Sequence, residues 1–451
     1  VPESVDDEAS PRRPDPAQGF PRPLWRALDR IPVPPPFSAR TWRSPLRGPW
    51  LTSVFGAVLL VGMTVVIVTG LMSFDTYAPW FGQAAPADVG PFHLPYYDQP
   101  TSPSWLYRLT QGLHVGGGLV LVPVVLAKLW SVVPKLFAWP PVRSLAQLLE
   151  RVSLLALVGG VLFEMVTGVM NIQYDYGFGF SFYTGHYWGA WVFIAGFVVH
   201  VLLKFPTMLR ALRAGAVGRW LHDSAAQTRP ETDDHGTGLV AVAPSPPSMS
   251  RRTLVAVVAG GSGLMALHAV GNTVDALRPL AFLSPRGQSY GSPDGVVGPT
   301  DFQVNRTAFG AGIRPDIADS WALRLSGGRA PVVLTRADLE AMGLATETLP
   351  IACVEGWSTT RTWTGVRLRD LAARAGVPSP STAVVQSLEA AGPFARVVLQ
   401  GSQVLAPRSL LALRVGGADL SLDHGFPARV IVPALPGVHN TKWVGAIEFR
   451  R

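Results

Sequence analysis

Four long apolar runs dominate the first half of the chain, at about 50–73, 106–133, 152–172 and 185–206. Each is near the roughly 20 residues that a helix needs to cross the hydrocarbon of a bilayer. A fifth run, 253–271, is shorter and richer in glycine. Beyond it the period changes: short β-branched segments (APVVLTR, TAVVQSL, ARVVLQ, ARVIVPA) are separated by Gly, Pro and Asp, with helical stretches such as TRADLEAM and LRDLAARAG between them. That alternation predicts strands and short helices. The expected architecture is therefore multidomain: an all-α transmembrane bundle of four helices (50–206) with a fifth anchor helix (253–271), followed by a mixed α/β domain over 300–451. Residues 1–49, rich in Pro and Arg, cannot bury a core and read as an extended tail. Residues 207–252 and 272–299 read as linkers.

Composition agrees, with 48% apolar and only 15% charged residues. The net charge of +8 does not indicate nucleic-acid binding, because the arginines are neither gathered on one helix nor interleaved with aromatics. They follow topology instead. The tail, the 134–151 connection (Lys135, Arg143, Arg151) and the 207–252 connection (Arg210, Arg213, Arg219, Arg229, Arg251, Arg252) are basic, whereas 74–103 and 173–184 contain aspartates and no Lys or Arg. Positive charge stays on the cytoplasmic side, so the N-terminus is expected inside and the last domain outside. The fifth segment, SRRTLVAVVAGGSGLMALHAV, resembles a twin-arginine export signal used as an uncleaved anchor, which implies a bacterial plasma membrane; the arginine pair is also what any cytoplasmic helix flank shows.

Histidines mark the membrane half. His114 lies in TQGLHVGGGLVLV near the outer end of the second helix, and His186 and His200 bracket the fourth in HYWGAWVFIAGFVVH. Four turns separate the last two, which puts both on nearly one face, about 21 Å apart. Helices two and four run in the same direction, so His114 and His186 fall at similar depth. Paired imidazoles from facing helices are what a b-type haem needs, and Gly116, Gly117 and Gly118 leave room beside the backbone. The alternative is a pair of interfacial histidines in a glycine-rich helix contact. His200 has no histidine partner at its depth, only Lys128; it stands as a possible second haem ligand, a quinone ligand or a proton-relay residue. His268, near the outer end of helix five, is either an alternative ligand or a satisfied interfacial residue. Glu164, inside helix three, suggests proton or quinone chemistry, or a structural hydrogen bond.

Residues 50–206 resemble the membrane cytochrome b subunits of formate dehydrogenases and related hydrogenases. The likeness rests on four helices, the paired histidines of helix four, and a VTG repeat (Val68-Thr69-Gly70 and Val166-Thr167-Gly168) that suggests related halves. It implies haem b; the histidine missing from helix one is a departure that tells against the family's second haem, so one haem is expected, with two possible.

Cys353 is the single cysteine, which excludes an intramolecular disulfide and any multi-cysteine metal cluster. A buried structural thiol is one reading; a metal-bound thiolate on a rigid turn is the other. The segments around it point to the second. IACVEGWSTTRTWTGVRLRDLAARAGV resembles the molybdenum-ligating segment of the sulfite oxidase family, DHGFPARVIVPALPGVHNTKWVGAIEF its pterin-binding segment, and DFQVNRTAF its opening segment. The resemblance implies that Cys353 binds molybdenum and that Asn305, Ser387, His424, Arg429 and Lys442 hold the pterin and its phosphate. Sulfite oxidases hold their dianionic substrate with arginines, but this chain reads Gly437-Val438-His439 where the family has Gly-x-Arg. Arg361 is the candidate for a remaining positive charge.

Together these readings predict a molybdenum-dependent oxidoreductase that couples oxygen-atom transfer outside the membrane to haem b and a quinone pool. S-oxide or N-oxide reduction is preferred; sulfite-type oxidation, and a non-catalytic electron-transfer or structural subunit of a respiratory complex, are the alternatives. A transporter is disfavoured, because five helices show no inverted repeat with broken midplane segments.

Overall fold

The computed structural model describes residues 38–77, 88–89, 92–93, 98–137, 145–172, 177–214, 222–232, 238–284, 301–304, 306–392 and 395–451. The predicted tail up to residue 37, the linker from 285 to 300 and Asn305 lie outside them. Five helices are long and apolar enough to cross a membrane: α1 (Pro49–Thr76), α2 (Leu106–Leu136), α3 (Leu145–Ile172), α4 (Phe182–Ala214) and α5 (Arg251–Gly271). Their outward faces are apolar, with Val61, Leu155 and Leu202 exposed by 69%, 73% and 72%. In water such a surface is a liability; against lipid it is expected.

After α5 comes the mixed domain. Ahead of it lies a two-residue pairing of β1 (Asp88–Val89) with β2 (Phe92–His93). The domain contains β3 (Leu323–Ser326), β4 (Val332–Leu334), α6 (Arg336–Ala341), β5 (Ala345–Ala352), β6 (Ser358–Arg367), α7 (Leu368–Arg374) and β7 (Thr382–Ser387). There follow β8 (Arg396–Gln400), α8 (Gly401–Leu405), β9 (Leu410–Val415), β10 (Ala418–Asp419), β11 (Arg429–Ile431) and β12 (Val444–Arg450). One five-stranded sheet has the order β4-β3-β12-β7-β8, parallel only between β3 and β12; the other runs β10-β9-β6-β5, with β11 also on β9. Inward-facing residues of both, such as Leu325, Val385, Leu411, Val430 and Ile447, form one buried cluster. This is the sheet period of two at work: residues on one pleat face the core.

The described chain falls into two compact units. One comprises Val1–Ala57, Leu126–Val161 and Val192–Val255; the other Val58–Val125, Leu162–Trp191 and Ala256–Arg451. The second unit thus combines stretches of α1 to α5 with the whole mixed domain.

The first unit is organised around a buried ion pair. Glu231 accepts from the backbone N–H groups of Trp50 (2.6 Å) and Leu51 (3.3 Å), satisfying donors that the first turn of α1 cannot pair internally. Arg251 lies 3.6 Å from the same carboxylate and donates to the carbonyls of Pro45 and Arg229, both at 2.9 Å. The paired arginines therefore differ: Arg251 is buried in the fold, whereas Arg252 is exposed. Breaking a buried pair from one side leaves an uncompensated charge, at about 3–5 kcal/mol. Glu231→Ala is expected to lower the thermal unfolding midpoint in detergent markedly, and Arg252→Ala to leave it nearly unchanged. Lys128 donates to the Thr52 carbonyl at 2.7 Å, and Gly56 leaves room for its ammonium, where a Cβ would lie 3.1 Å from Nζ.

Candidate functional site

Cys353 opens the loop between β5 and β6. The hairpin register ends at Ala352 opposite Ser358, and the loop is closed by Cys353 N–H to the Trp357 carbonyl (2.9 Å) and Gly356 N–H to the Cys353 carbonyl (3.1 Å). The turn needs φ of +87° at 356, which is why glycine stands there. Cys353 is only 2% exposed and belongs to a buried cluster with Tyr77, Trp357, Trp363 and Ile431. Burial pushes its thiol well up, helped by the Glu355 carboxylate and opposed by the backbone N–H groups of Glu355 and Val354 and by Lys442. Glu355 itself is raised to about 7 by burial, against the hydrogen bond it accepts from Trp357 Nε1 at 2.8 Å. A bare thiolate is thus unfavourable here; one shared with a metal cation is not.

The loop 432–443 brings the remaining groups alongside. Its Gly437 N–H donates to the Ala352 carbonyl at 2.7 Å, and Ala352 bridges to Pro436, so this loop is seated on the end of β5 beside Cys353. Non-glycine residues with left-handed backbone lie within and at the end of it, Ala434 (φ 59°) and Trp443 (φ 51°). Each costs on the order of 1–3 kcal/mol, strain of a kind that concentrates at functional sites.

Arg429, at the start of β11, is 3% exposed, and its guanidinium donates to the carbonyls of Asn440 (3.1 Å) and His424 (3.2 Å). Lys442 Nζ donates to the carbonyls of Arg306 (2.7 Å) and Asp423 (2.8 Å). Among the described residues neither cation has a carboxylate at ion-pair distance, and Glu389 is paired with Arg306 instead. Burial depresses both, Lys442 to about 7 with Arg429 as its second cause. Two cations held by neutral carbonyls beside a thiol form a site short of negative charge. A dithiolene and a phosphate would supply it.

The other expected pterin residues support that frame. Ser387, ending β7, donates to the Lys442 carbonyl at 2.9 Å. His424 is stacked on Phe302 at 3.7 Å; its Nε2 meets the Phe302 carbonyl at 3.0 Å and its Nδ1 the Ser421 hydroxyl at 2.9 Å. Both ring nitrogens are engaged, so His424 reaches the site through its carbonyl on Arg429. Arg361 is drawn elsewhere: its amino groups bind Asp275 (2.8 Å) and the Asp301 carbonyl (2.7 Å). The expectation that it offers a charge to substrate meets a side chain already paired. Sequence reasoning missed Thr441, whose buried hydroxyl has no hydrogen-bond partner among the described residues and sits between Asn440 and Lys442. It also missed Tyr77, Tyr107 and Tyr183: the first two share a hydroxyl–hydroxyl bond of 2.7 Å, and Tyr77 and Tyr183 have ring centroids 5.3 Å apart.

His439 is 2% exposed, with the Tyr77 ring edge-on at 6.1 Å. Burial lowers its imidazole to about 4. The unfolded chain takes up this proton near pH 6.5 and the folded one only near 4, so the associated stability is complete above about 6.5 and is lost as pH falls toward 4. The shift corresponds to on the order of 3 kcal/mol. Acid unfolding curves are expected to show that loss in the native protein and less of it in His439→Gln.

His114 and His186 come together with ring centroids 6.1 Å apart and planes at 90°. His114 Nδ1 meets the Val66 carbonyl at 2.9 Å; His186 Nδ1 meets Glu164 Oε2 and Thr167 Oγ1, both at 3.0 Å. A carbonyl or carboxylate on Nδ1 fixes the proton there and leaves Nε2 as a metal ligand. The VTG repeat explains itself here: a Cβ on Gly70 would lie 2.7 Å from His114, and Gly168 is in ordinary contact with His186. Glu164 is thus an orienting partner of His186. Of the glycines after His114, a Cβ on Gly116 would touch Ala269 of α5 at 3.0 Å and one on Gly117 would meet Val66 of α1 at 3.4 Å, whereas Gly118 has no neighbour within 4 Å among the described residues. His268 is fully buried, bonded to Asn272 (3.1 Å) and to the Leu283 N–H (3.4 Å). His200 lies on α4 in the first unit. Among the described residues no group of three or more His, Cys, Asp or Glu side chains is placed to hold a metal ion.

Residues 311–451 match the family model of the oxidoreductase molybdopterin binding domain. An uncharacterized oxidoreductase, YuiH, of Bacillus subtilis (strain 168) is 34% identical over 122 residues, 27% of this chain and 60% of that protein. The mitochondrial sulfite oxidase of Macaca fascicularis is 32% identical over 102 residues, 21% of this chain and 19% of that one. The NAD(P)H nitrate reductase of Hordeum vulgare is 37% identical over 101 residues, 20% and 11%. The chain therefore spans three-fifths or less of these relatives' own length.

Proposed function

We propose, starting from a C-terminal domain that is a molybdopterin-binding oxidoreductase domain of the sulfite oxidase type, that the chain is a membrane enzyme that reduces small S-oxides or N-oxides with electrons from a quinol. The observation that carries it is the placement of Arg429 and Lys442, two cations without carboxylate partners among the described residues, beside the Cys353 loop. They fit a phosphate-bearing pterin, and Cys353 fits the thiolate ligand of its molybdenum. When bound, that group supplies two-electron oxygen-atom exchange.

This chain's residues do the rest. Cys353 gives the sulfur; Arg429 and Lys442 give countercharge; Ser387 and His424 fix those two through backbone carbonyls; Thr441 offers one more hydrogen bond. Substrate charge is limited by what surrounds the site. Arg361 is paired with Asp275, and His439 is neutral above about pH 4. With Arg429 and Lys442 assigned to the pterin and its phosphate, a dianionic substrate is poorly held, whereas a neutral oxide can accept a hydrogen bond from a phenol or imidazole. The balance is RXO + 2 H⁺ + 2 e⁻ giving RX and water, with the quinol oxidised to quinone and releasing two protons.

His114 and His186 are the proposed haem b ligands, oriented through their Nδ1 atoms by Val66 and by Glu164 with Thr167. His200 remains a candidate for quinone contact or a second haem. The five apolar helices support a multi-pass membrane protein, and the basic connections support a cytoplasmic N-terminus with the molybdopterin domain outside a bacterial plasma membrane.

Relatives named sulfite oxidase favour a second reading, in which sulfite is oxidised and electrons flow inward. The haem spectrum of the purified full chain separates the two. Under the proposed direction, quinol reduces the haem and dimethyl sulfoxide, methionine sulfoxide or trimethylamine N-oxide reoxidises it. Reduction of the haem by sulfite, with no response to the oxides, would reverse the assignment.

A further inference from the structure

The Cys353 loop rests directly on α2. Gln111 is 4% exposed, and its Nε2 donates to the Val354 carbonyl at 2.8 Å; its Oε1 accepts from Ser73 of α1 at 3.0 Å. One turn further along α2 on the same face stands His114. The next residue, Val115, lies under the turn: a Cβ on Gly356 would be 2.6 Å from Val115 Cγ1. Two antiparallel pairings thus stack on one another, Gly70 with His114 and Ser73 with Gln111. The residue following the single thiol is hydrogen-bonded to the residue one turn from an imidazole in the membrane helices.

We propose that the Cys353–Gly356 turn is docked on α2 as the electron-transfer contact between the outer site and the His114 pair, and that Gln111 is the positioning residue that keeps this contact closed. The inference rests on the function proposed above. A path from Cys353 through the Val354 carbonyl and the Gln111 amide into the α2 backbone, and so to His114, crosses only covalent bonds and one hydrogen bond. The competing aromatic route, Tyr77 to Tyr183 to Phe182 to His186, has ring centroids 5.3, 5.5 and 4.9 Å apart; the last three residues share α4, so its unavoidable van der Waals gap lies between Tyr77 and Tyr183. Coupling falls more steeply across such gaps than along bonds. For each oxygen atom removed, two electrons cross one at a time: the haem side is oxidised, the outer site is reduced, and protons enter at the outer site from solvent.

The test uses the full chain carrying both groups, with molybdenum and haem content measured first. Absence of either from the native protein would refute the proposed function and not this contact alone. In Gln111→Leu and Gln111→Met, which keep bulk and remove the donor, electron passage after flash reduction of the haem is expected to slow severalfold, because the hydrogen-bonded step becomes a van der Waals gap. Magnetic relaxation between the two metal centres should weaken in parallel. The haem midpoint potential, the haem spectrum and the KM for the oxide with a dye that feeds the outer site directly are expected to stay unchanged. Native transfer rates in both variants, or a slowing seen only in Phe182→Leu, would overturn the proposal. If one Gln111 variant fails to fold, the other decides.

Discussion

Cys353→Ser is expected to abolish oxide reduction, by roughly a thousandfold or more, equivalent to about 4 kcal/mol of barrier. The replacement is nearly isosteric and sits where the backbone N–H groups of Val354 and Glu355 face the side chain, so the hairpin loop between β5 and β6 should persist. What is lost is a soft thiolate, for which a serine oxygen is a poor substitute at molybdenum. The haem spectrum and the unfolding midpoint should stay near native. Full activity in Cys353→Ser would make the residue a structural thiol and remove it from the chemistry.

His186→Leu is expected to have the second largest effect, and of a different kind. The proposed haem ligand disappears, and Glu164 is left without its imidazole partner. Haem b should be lost or become five-coordinate, and quinol-driven turnover should fall on the order of a thousandfold. Turnover driven by a dye that reduces the outer site directly should survive. Glu164→Gln, which leaves the ligand and loosens only its orientation, should cost about 10–100-fold in haem affinity. Retention of a native haem spectrum in His186→Leu would assign the ligand role to another histidine.

Much of this was legible in the chain itself, for identifiable reasons. Long apolar helices announce themselves by uninterrupted apolar length, and all five were placed within a few residues at most ends. The structure extends α3 back to Leu145 and α4 on to Ala214, where charged side chains take over; Glu150 of α3 and Lys204 of α4 pair there at 2.8 Å. The strands at 382–387 and 396–400 follow their β-branched runs. β6 was not seen, because STTRTWTGVR alternates Thr and Arg with few aliphatics and depends on β5 and β9 for its place. β9 was missed for the opposite reason: LLALRV has helical residues and becomes a strand only between β6 and its neighbours.

At the site, Cys353, Arg429 and Lys442 could be named because their segments resemble a known family. Their meeting depends on Gly437 docking on Ala352, a contact 85 residues apart in sequence. Arg361 shows the limit. Its partner Asp275 lies in a connection that carries no motif, so only the folded chain reveals that its charge is already engaged. The same holds for Gln111, an ordinary polar residue in an apolar run until the Val354 carbonyl appears opposite it.

The most direct test of the account is the molybdenum and haem b content of the full chain purified in detergent. About one molybdenum, with its pterin, and one haem b per chain are predicted, with molybdenum lost in Cys353→Ser and haem retained. Haem with no molybdenum in the native protein would contradict the assignment of Cys353 and leave the chain as an electron-transfer subunit.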